Sequence, residues 1–279
     1  MTIVFTKMHL LGNDFVVIDG TTQSFKPNAA LIRQWANRHT GIGFDQLLLI
    51  EKPRHQLAHF QYRIFNANGN EVMQCGNGAL CIAQFLANEK LCTNNPIRIM
   101  TKTGLLTLRL GENGKITADL GTPIFELEKI PFISGTQGPI YSLETPFGCF
   151  DCCVLSLGNP HCVLEVNHLE TAPVDQLGSY LNQSPHAYFS QGTNVEFIKI
   201  HSPQQISMRV YERGVGETQA CGSGACAAVV AGHLFKQIGK EVTVQLPGGV
   251  LDVTWQGNKS SVFLTGKGET VFQGRINLP

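Results

Sequence analysis

Two short segments, QCGNGALCIA at 74–83 and ACGSGACAAV at 220–229, are so alike that their leading cysteines, Cys75 and Cys221, define an internal offset of 146 residues (221 minus 75). The same offset carries LGND (Gly12) onto LGNP (Gly158) and RIFNANGNE (Asn66) onto RVYERGVGE (Glu212), while DQLLLIE (Gln46) meets TNVEFIK (Asn194) at 148. Segments that recur in one order at one spacing are the signature of a duplicated structural unit, so the chain is expected to fold as two lobes built to one plan.

The material of each lobe follows from periodicity. Alternation of apolar and polar residues runs through IVFTKMHL, DFVVID, DQLLLIE, FQYRIFNA, IRIMTKTGLLTLRL, CCVLSLG, HCVLEV, NVEFIKI, ISMRVYE, VTVQL and LDVTW, which predicts strands. Helical spacing is confined to about 28–38, 77–90, 174–182 and 223–238, and the second and fourth of these are the most apolar. Because ACAAVVAGHLF is apolar on every helical face, it predicts a buried helix. The expectation is an α/β (α+β) protein of two pseudo-symmetric lobes, each a mostly antiparallel or mixed sheet wrapped around one apolar helix, with an active site in the cleft between them. Pro and Gly in GTPIFELEKIPFISGTQGP place the boundary, giving an N-terminal lobe 1–122 and a C-terminal lobe 123–267, with 268–279 (the ETVFQGRI strand) crossing back to the first.

Charge narrows the partner. Lys plus Arg equals Asp plus Glu at 21 each, with no long run of either sign, which favours a small neutral or zwitterionic molecule over nucleic acid or an anionic membrane. No 18-residue apolar run occurs, and MTIVFTKMHLLGNDFVVIDG reads as two strands instead of a leader, so a cytoplasmic protein is expected. Nine cysteines, an odd number in a chain of 279 residues, then point to thiols and not to a disulfide framework.

Each lobe therefore offers one cysteine at the mouth of a glycine-started helix. There the unpaired N–H groups and the positive dipole end are expected to lower the thiol pKa and favour thiolate. If the lobes pack about a pseudo-twofold axis, Cys75 faces Cys221, a geometry suited to inverting a stereocentre: one thiolate removes a proton from one face while the other thiol delivers one to the opposite face. Two converging helix N-termini form an anion site for the enediolate that develops on a carboxylate. Its N–H groups are expected from Gly76, Asn77, Gly222 and Ser223, so no metal and no pyridoxal cofactor is called for.

The motifs LGNDFVVID, GIGFDQLLL, FNANGNEVMQCGNGA, LGNPHCV, GTNVEF and YERGVGETQACGSGACA, spread over essentially the whole chain, resemble those of diaminopimelate epimerase, a cofactor-independent family that interconverts LL- and meso-diaminopimelate in lysine and peptidoglycan precursor synthesis. The resemblance implies that Cys75 and Cys221 are the acid–base pair and that Asn13, Asn66, Asn159, Asn194 and Arg213 bind substrate. It further implies that Gln46, His161 and Glu212 orient the reacting centre and tune the thiols, Gln46 and Glu212 also lining the substrate. The partner expected is diaminopimelate, with neither nucleic acid nor membrane, and the chain is expected to pair as a homodimer. Three residues depart from the family's pattern: Gln74 before the first cysteine, Leu80 where an arginine is usual, and Asn68 where an aspartate is usual.

Several residues admit other readings. Asn13 and Asn159 stand in GND and GNP turns, where asparagine is often only a turn former, and their pairing by the repeat favours function. Cys81, Cys92, Cys149, Cys152, Cys153, Cys162 and Cys226 read as core or incidental thiols. GCFDCCVLSLGNPHC holds a C-x-x-C with His161 and Cys162 downstream, as a zinc site would. In a strand, however, Cys149 and Cys152 point to opposite faces. A proline-racemase-like enzyme would share the two cysteines. Its pocket would be small and apolar, without the second carboxylate binder that Arg213 and the asparagines offer.

Overall fold

A computed structural model of the chain describes residues 1–73, 75–134, 138–183, 188–235 and 237–278; Gln74 lies outside them. Its elements are β1 (Thr2–Leu10), β2 (Asn13–Asp19), α1 (Ala29–Ala36), β3 (Gln46–Glu51), β4 (Phe60–Asn66), β5 (Glu71–Val72), α2 (Gly76–Asn88), β6 (Ile97–Thr101), β7 (Gly104–Leu110), β8 (Ile116–Asp119), β9 (Ile140–Thr145), β10 (Gly148–Ser156), β11 (Pro160–Glu165), α3 (Val174–Gln183), β12 (Asn194–Ser202), β13 (Gln205–Glu212), β14 (Gly216–Thr218), α4 (Gly222–Leu234), β15 (Glu241–Leu246), β16 (Gly249–Trp255), β17 (Val262–Gly266) and β18 (Glu269–Asn277). This is a sheet-dominated mixed α/β fold of two compact units. One comprises Met1–Asp119 with Thr265–Pro279, the other Leu120–Leu264.

In the first unit β18 and β2 flank β1 antiparallel, β2 runs parallel to β3, β3 antiparallel to β4, β4 parallel to β6, and β6 antiparallel to β7, with the short β5 laid on β4. In the second unit β9 and β11 flank β10 antiparallel, β11 runs parallel to β12, β12 antiparallel to β13, β13 parallel to β15, and β15 antiparallel to β16, with β14 laid on β13. The two sequences of pairings are identical. The duplication read from the sequence is therefore a duplication of topology.

Details of the repeat reappear as interactions. The β1–β2 and β10–β11 turns both need a left-handed residue and both take glycine, Gly12 at φ 87° and Gly158 at φ 92°. Arg63 clasps Glu71 with Nε at 2.8 Å and Nη2 at 3.0 Å, and the repeat-related Arg209 clasps Glu217 at 2.6 and 2.8 Å; each is a bidentate bridge that ties a small strand to its neighbour.

Each unit has its own apolar core. In the first, Ile3, Val16, Ile18, Leu47 and Leu49 from alternating strand positions close over α1, whose Ile32 and Trp35 face inward and whose Trp35 stacks on Phe25 at 5.6 Å between ring centroids. Asn28 starts α1 by accepting from the Ala30 and Leu31 N–H groups. In the second, Leu143, Cys152, Val154, Cys162, Leu164, Val195 and Phe197 pack on Leu177 and Leu181 of α3 and on the Phe132–Phe189 pair. At about 1.5–3 kcal/mol for each large side chain taken from water, these clusters are the main stabilising force of each unit.

The remaining helices, α2 and α4, are the two cysteine helices. Ten of the thirteen residues of α4 are buried, as its uniformly apolar faces require. Leu80 and Asn68 sit without strain: Leu80 is fully buried in α2, and Asn68 accepts from the Asn70 N–H at 2.9 Å to brace the turn after β4. Among the described residues no helix is long and apolar enough to cross a membrane.

Candidate active site

The two cysteine helices begin alike. Cys75 is the N-cap residue of α2, with extended backbone (φ −146°, ψ 113°), and its sulfur accepts the Gly78 N–H at 3.3 Å. Cys221 is the N-cap residue of α4 (φ −130°, ψ 111°), and its sulfur accepts the Gly224 N–H at 3.4 Å. A cysteine replaces the serine or aspartate that usually caps a helix, so each sulfur is held against backbone donors at the positive end of a helix dipole.

In the first unit Asn77 Nδ2 donates to Asn13 Oδ1 at 3.2 Å, joining the first turn of α2 to the β1–β2 turn. Asn13 is braced from behind, since its Nδ2 donates to Asp45 at 3.0 Å. Asp45 belongs to a charged network in which Lys7 and Arg38 share Asp14, and Arg38 reaches Asp45 at 2.7 Å. Burial alone would push the Asp14 carboxyl up, but hydrogen bonds from Arg38 and Lys7 and the charges of both carry it down to about 2. At the facing ends of β3 and β4, Gln46 Nε2 donates to Asn66 Oδ1 at 2.8 Å. Asn13, Gln46 and Asn66 thus lie at strand ends and Gly76 and Asn77 in the first turn of α2, all in one unit, with four of the five joined in two hydrogen-bonded pairs: Asn77 with Asn13, and Gln46 with Asn66.

The second unit repeats the arrangement with different chemistry. Asn159 Nδ2 donates to Ser223 Oγ at 3.4 Å, the repeat of the Asn77–Asn13 contact, and Ser223 Oγ lies 3.6 Å from the Cys221 sulfur. Asn194 turns its Oδ1 to the Arg213 backbone N–H at 2.9 Å and its Nδ2 to the Cys221 sulfur at 3.9 Å. Glu212 accepts from the Thr218 hydroxyl and interacts with the Cys221 thiol, and burial pushes its carboxyl up from the ordinary range. The Arg213 guanidinium is exposed, with Nη1 donating to the Gln191 carbonyl at 3.2 Å, so its charge remains available to a ligand.

One expectation is corrected here. A helix N-terminus was expected to lower the Cys221 pKa, yet burial, followed by the negative charges of Glu212 and Glu196, pushes it well up, and the Gly224 N–H and Ser223 hydroxyl only partly oppose this. Cys221 therefore rests as a thiol, the proton-donating form. The dipole is present, but burial and the two carboxylates outweigh it.

One residue escaped the sequence reading. Glu196, the third residue of β12, is fully buried, and its Oε1 lies 2.7 Å from His161 Nδ1, while the other ring nitrogen of His161 lies 3.1 Å from Asn159 Oδ1. The available signal was an acid inside the run NVEFIKI, whose other residues from Asn194 to Ile198 are all buried. The seven other cysteines are thiols as well; Cys149 is exposed on β10, whereas Cys152, Cys153 and Cys162 are buried.

Comparison with known proteins adds a family and a fold. The profile of the family described as diaminopimelate epimerase matches residues 5–126 and 153–271. Among solved structures, a hydroxyproline epimerase from Agrobacterium vitis superposes with a TM-score of 0.73 at 13% identity, covering 99% of this chain and 92% of that one. A probable proline racemase from Agrobacterium radiobacter K84 gives 0.72 at 14% identity over 99% and 93% of the two chains. A predicted epimerase from Pseudomonas aeruginosa gives 0.71 at 16% over 99% and 100%. At such identities the likeness is one of fold.

Proposed function

The chain belongs to the diaminopimelate epimerase family, and from this premise we propose that it interconverts LL- and meso-diaminopimelate, a step of lysine and peptidoglycan precursor synthesis, by a two-thiol mechanism. One of Cys75 and Cys221, as thiolate, removes the α-proton. The other, as thiol, delivers a proton to the opposite face of the same carbon, and the roles exchange with direction. The developing negative charge lies on the α-carboxylate oxygens, where backbone N–H groups of Gly76, Asn77, Gly222 and Ser223 would stabilise it as an oxyanion hole does. Asn13, Asn66, Asn159 and Asn194 would hold the ammonium and carboxylate groups, and Arg213 the distal carboxylate, which a guanidinium matches in bidentate fashion. Gln46, His161 and Glu212 would orient the reacting centre. Glu212, with its raised pKa and its contact to Cys221, is suited to exchange a proton with that thiol.

The observation that carries this reading is the matched pair of cysteine N-caps, each sulfur on the N–H of the third helical residue, in two units of one topology. A nucleophilic cysteine hydrolase needs only one such thiol. Purified protein incubated with LL-diaminopimelate should yield the meso isomer by chiral chromatography and should leave L-proline and trans-4-hydroxy-L-proline unchanged. Arg213→Lys should lower kcat/KM for diaminopimelate at least about tenfold, because lysine keeps the charge but loses the planar fork. Turnover of proline without turnover of diaminopimelate would replace this reading by a proline-racemase one.

A further inference from the structure

In the second unit a buried carboxylate begins a chain of contacts that ends at a thiol. Glu196 and His161 are both fully buried, and Glu196 Oε2 meets no hydrogen-bond partner among the described residues. From Glu196 Oε1 the contacts run to His161 Nδ1 at 2.7 Å, from His161 Nε2 to Asn159 Oδ1 at 3.1 Å, from Asn159 Nδ2 to Ser223 Oγ at 3.4 Å, and from Ser223 Oγ to Cys221 Sγ at 3.6 Å. The direction of the chain is set by its donors. Asn159 donates to Ser223 and so presents its carbonyl oxygen to His161, whose Nε2 must then carry a proton, while Nδ1 faces the Glu196 carboxylate. Without an acceptor or donor fixed on Nδ1, the ring could take the other tautomer, and the Asn159 amide would turn over with it.

The carboxylate also lies close to the sulfur. A Cβ added at Gly224 would stand 2.8 Å from Glu196 Oε1 and 3.2 Å from Cys221 Sγ, so the oxygen and the sulfur are within about 6 Å of each other. Burying an acid in a strand is costly unless it is paired, and among the described residues its side chain pairs with a ring that leads to the helix cap.

We propose that Glu196 is a positioning residue: it fixes the tautomer and orientation of His161, through it the Asn159 amide and Ser223, and sets the field in which the Cys221 thiol ionises. This role rests on the proposed use of Cys221 in proton transfer. Among the described residues, the charged groups acting on Cys221 are Glu212 on β13 and Glu196 on β12, and His161 on β11 stands against both carboxylates. The helix that Cys221 caps contributes the Gly224 N–H and the Ser223 hydroxyl, and the Arg213 guanidinium is turned to Gln191. Glu196 and Glu212 both oppose thiolate formation, so removing one negative charge must ease it.

The test is Glu196→Gln, which keeps the shape and an amide donor for Nδ1 and removes the charge. Alkylation of Cys221 by iodoacetamide, read by peptide mass spectrometry across pH, should begin about one pH unit lower than in the wild type, and kcat/KM for diaminopimelate should fall about tenfold or more. A purely structural glutamate would change the melting temperature and leave the alkylation profile in place; that result in a folded variant overturns the proposal. Should the variant fail to fold, ring-15N-labelled wild-type protein decides: a strongly downfield proton at His161 Nδ1 that is lost in His161→Gln supports the pair, and its absence in the wild type refutes it. Alkylation needs no substrate. A shifted profile in a protein that does not turn over diaminopimelate would therefore refute the substrate reading alone, whereas an unshifted profile in an active epimerase would refute the role of Glu196 alone.

Discussion

Gly224→Ala separates helix propensity from site geometry, because the two predict opposite signs. Alanine in place of a helical glycine normally stabilises by about 1 kcal/mol. At this position the new methyl carbon would lie 2.8 Å from Glu196 Oε1 and 3.2 Å from the Cys221 sulfur, both closer than such contacts allow. The carboxylate is the more movable of the two, but it is fully buried and moving it stretches its 2.7 Å bond to His161. A hydrogen bond to a charged group is worth about 1.5–3 kcal/mol. Subtracting the propensity gain leaves a net loss of about 0.5–2 kcal/mol, or a Tm lower by about 1–8 °C. The sulfur must also retreat by a few tenths of an ångström, so kcat/KM for diaminopimelate should fall about tenfold or more, as misplacement of a reacting atom does. Urea unfolding with steady-state assays measures both. A variant more stable than the wild type and equally active would show that α4 has room at Gly224 and that the cap geometry does not constrain Cys221. Gly78→Ala, the repeat-related change, runs into the hydroxyl of Tyr62, whose ring is 1% exposed, and should cost more.

Further expectations concern pH and the first unit. Burial holds the Cys153, Cys162, Cys221 and Cys226 thiols of the second unit well above their ordinary value of 9.0, so the folded state favours their neutral form. That stability is complete below pH 9 and is lost as pH rises above it, because the unfolded chain releases protons that the folded one retains; four such thiols amount to about 5 kcal/mol between pH 8 and pH 10, read as a falling urea midpoint. A midpoint unchanged over that range would mean that the thiols are not held neutral. Asp14 acts in the opposite direction: with its pKa lowered from 3.8 to about 2, its contribution is present above pH 4 and lost as pH falls toward 2. After discounting for solvent screening, Asp14→Asn should cost about 1–2 kcal/mol at pH 7 and nothing at pH 2, and equal losses at both would assign the effect to packing.

Much of this architecture was legible in the sequence for a definite physical reason. Alternation and short apolar runs mark β1 to β4 and β10 to β13: the central strands β2, β3, β11 and β12 carry four or five consecutive buried residues and so are covered on both faces, and the 146-residue repeat marks the two capped helices because one plan is used twice. Five strands of the described residues carry no such mark: β5, β8 and β14 hold two to four residues, too few to show a period, β17 holds five, and β9 follows the Pro- and Gly-bearing stretch GTPIFELEKIPFISGTQGP that reads as a boundary. Glu196 and the Lys7–Asp14–Arg38–Asp45 network were invisible for another reason: a charge on a strand reads as a solvated position unless its partner is known, and His161 is 35 residues from Glu196 in sequence. The ionisation of Cys221 was hidden likewise, since the helix dipole is a local property that the sequence reveals, whereas the burial that outweighs it, and then the carboxylates from β12 and β13, come from tertiary packing.

The central claim is that two thiols divide one proton transfer, and hydrogen isotope incorporation tests it most directly. LL-diaminopimelate incubated with the enzyme in deuterated water should give meso product carrying deuterium at the inverted α-carbon. The LL substrate recovered at early turnover should carry little, because the proton removed by one thiol stays on that thiol while the other, already exchanged with solvent, supplies the new hydrogen. Product retaining most of the original protium, or deuterium entering substrate as fast as product, would show a single base acting on both faces and would contradict the account.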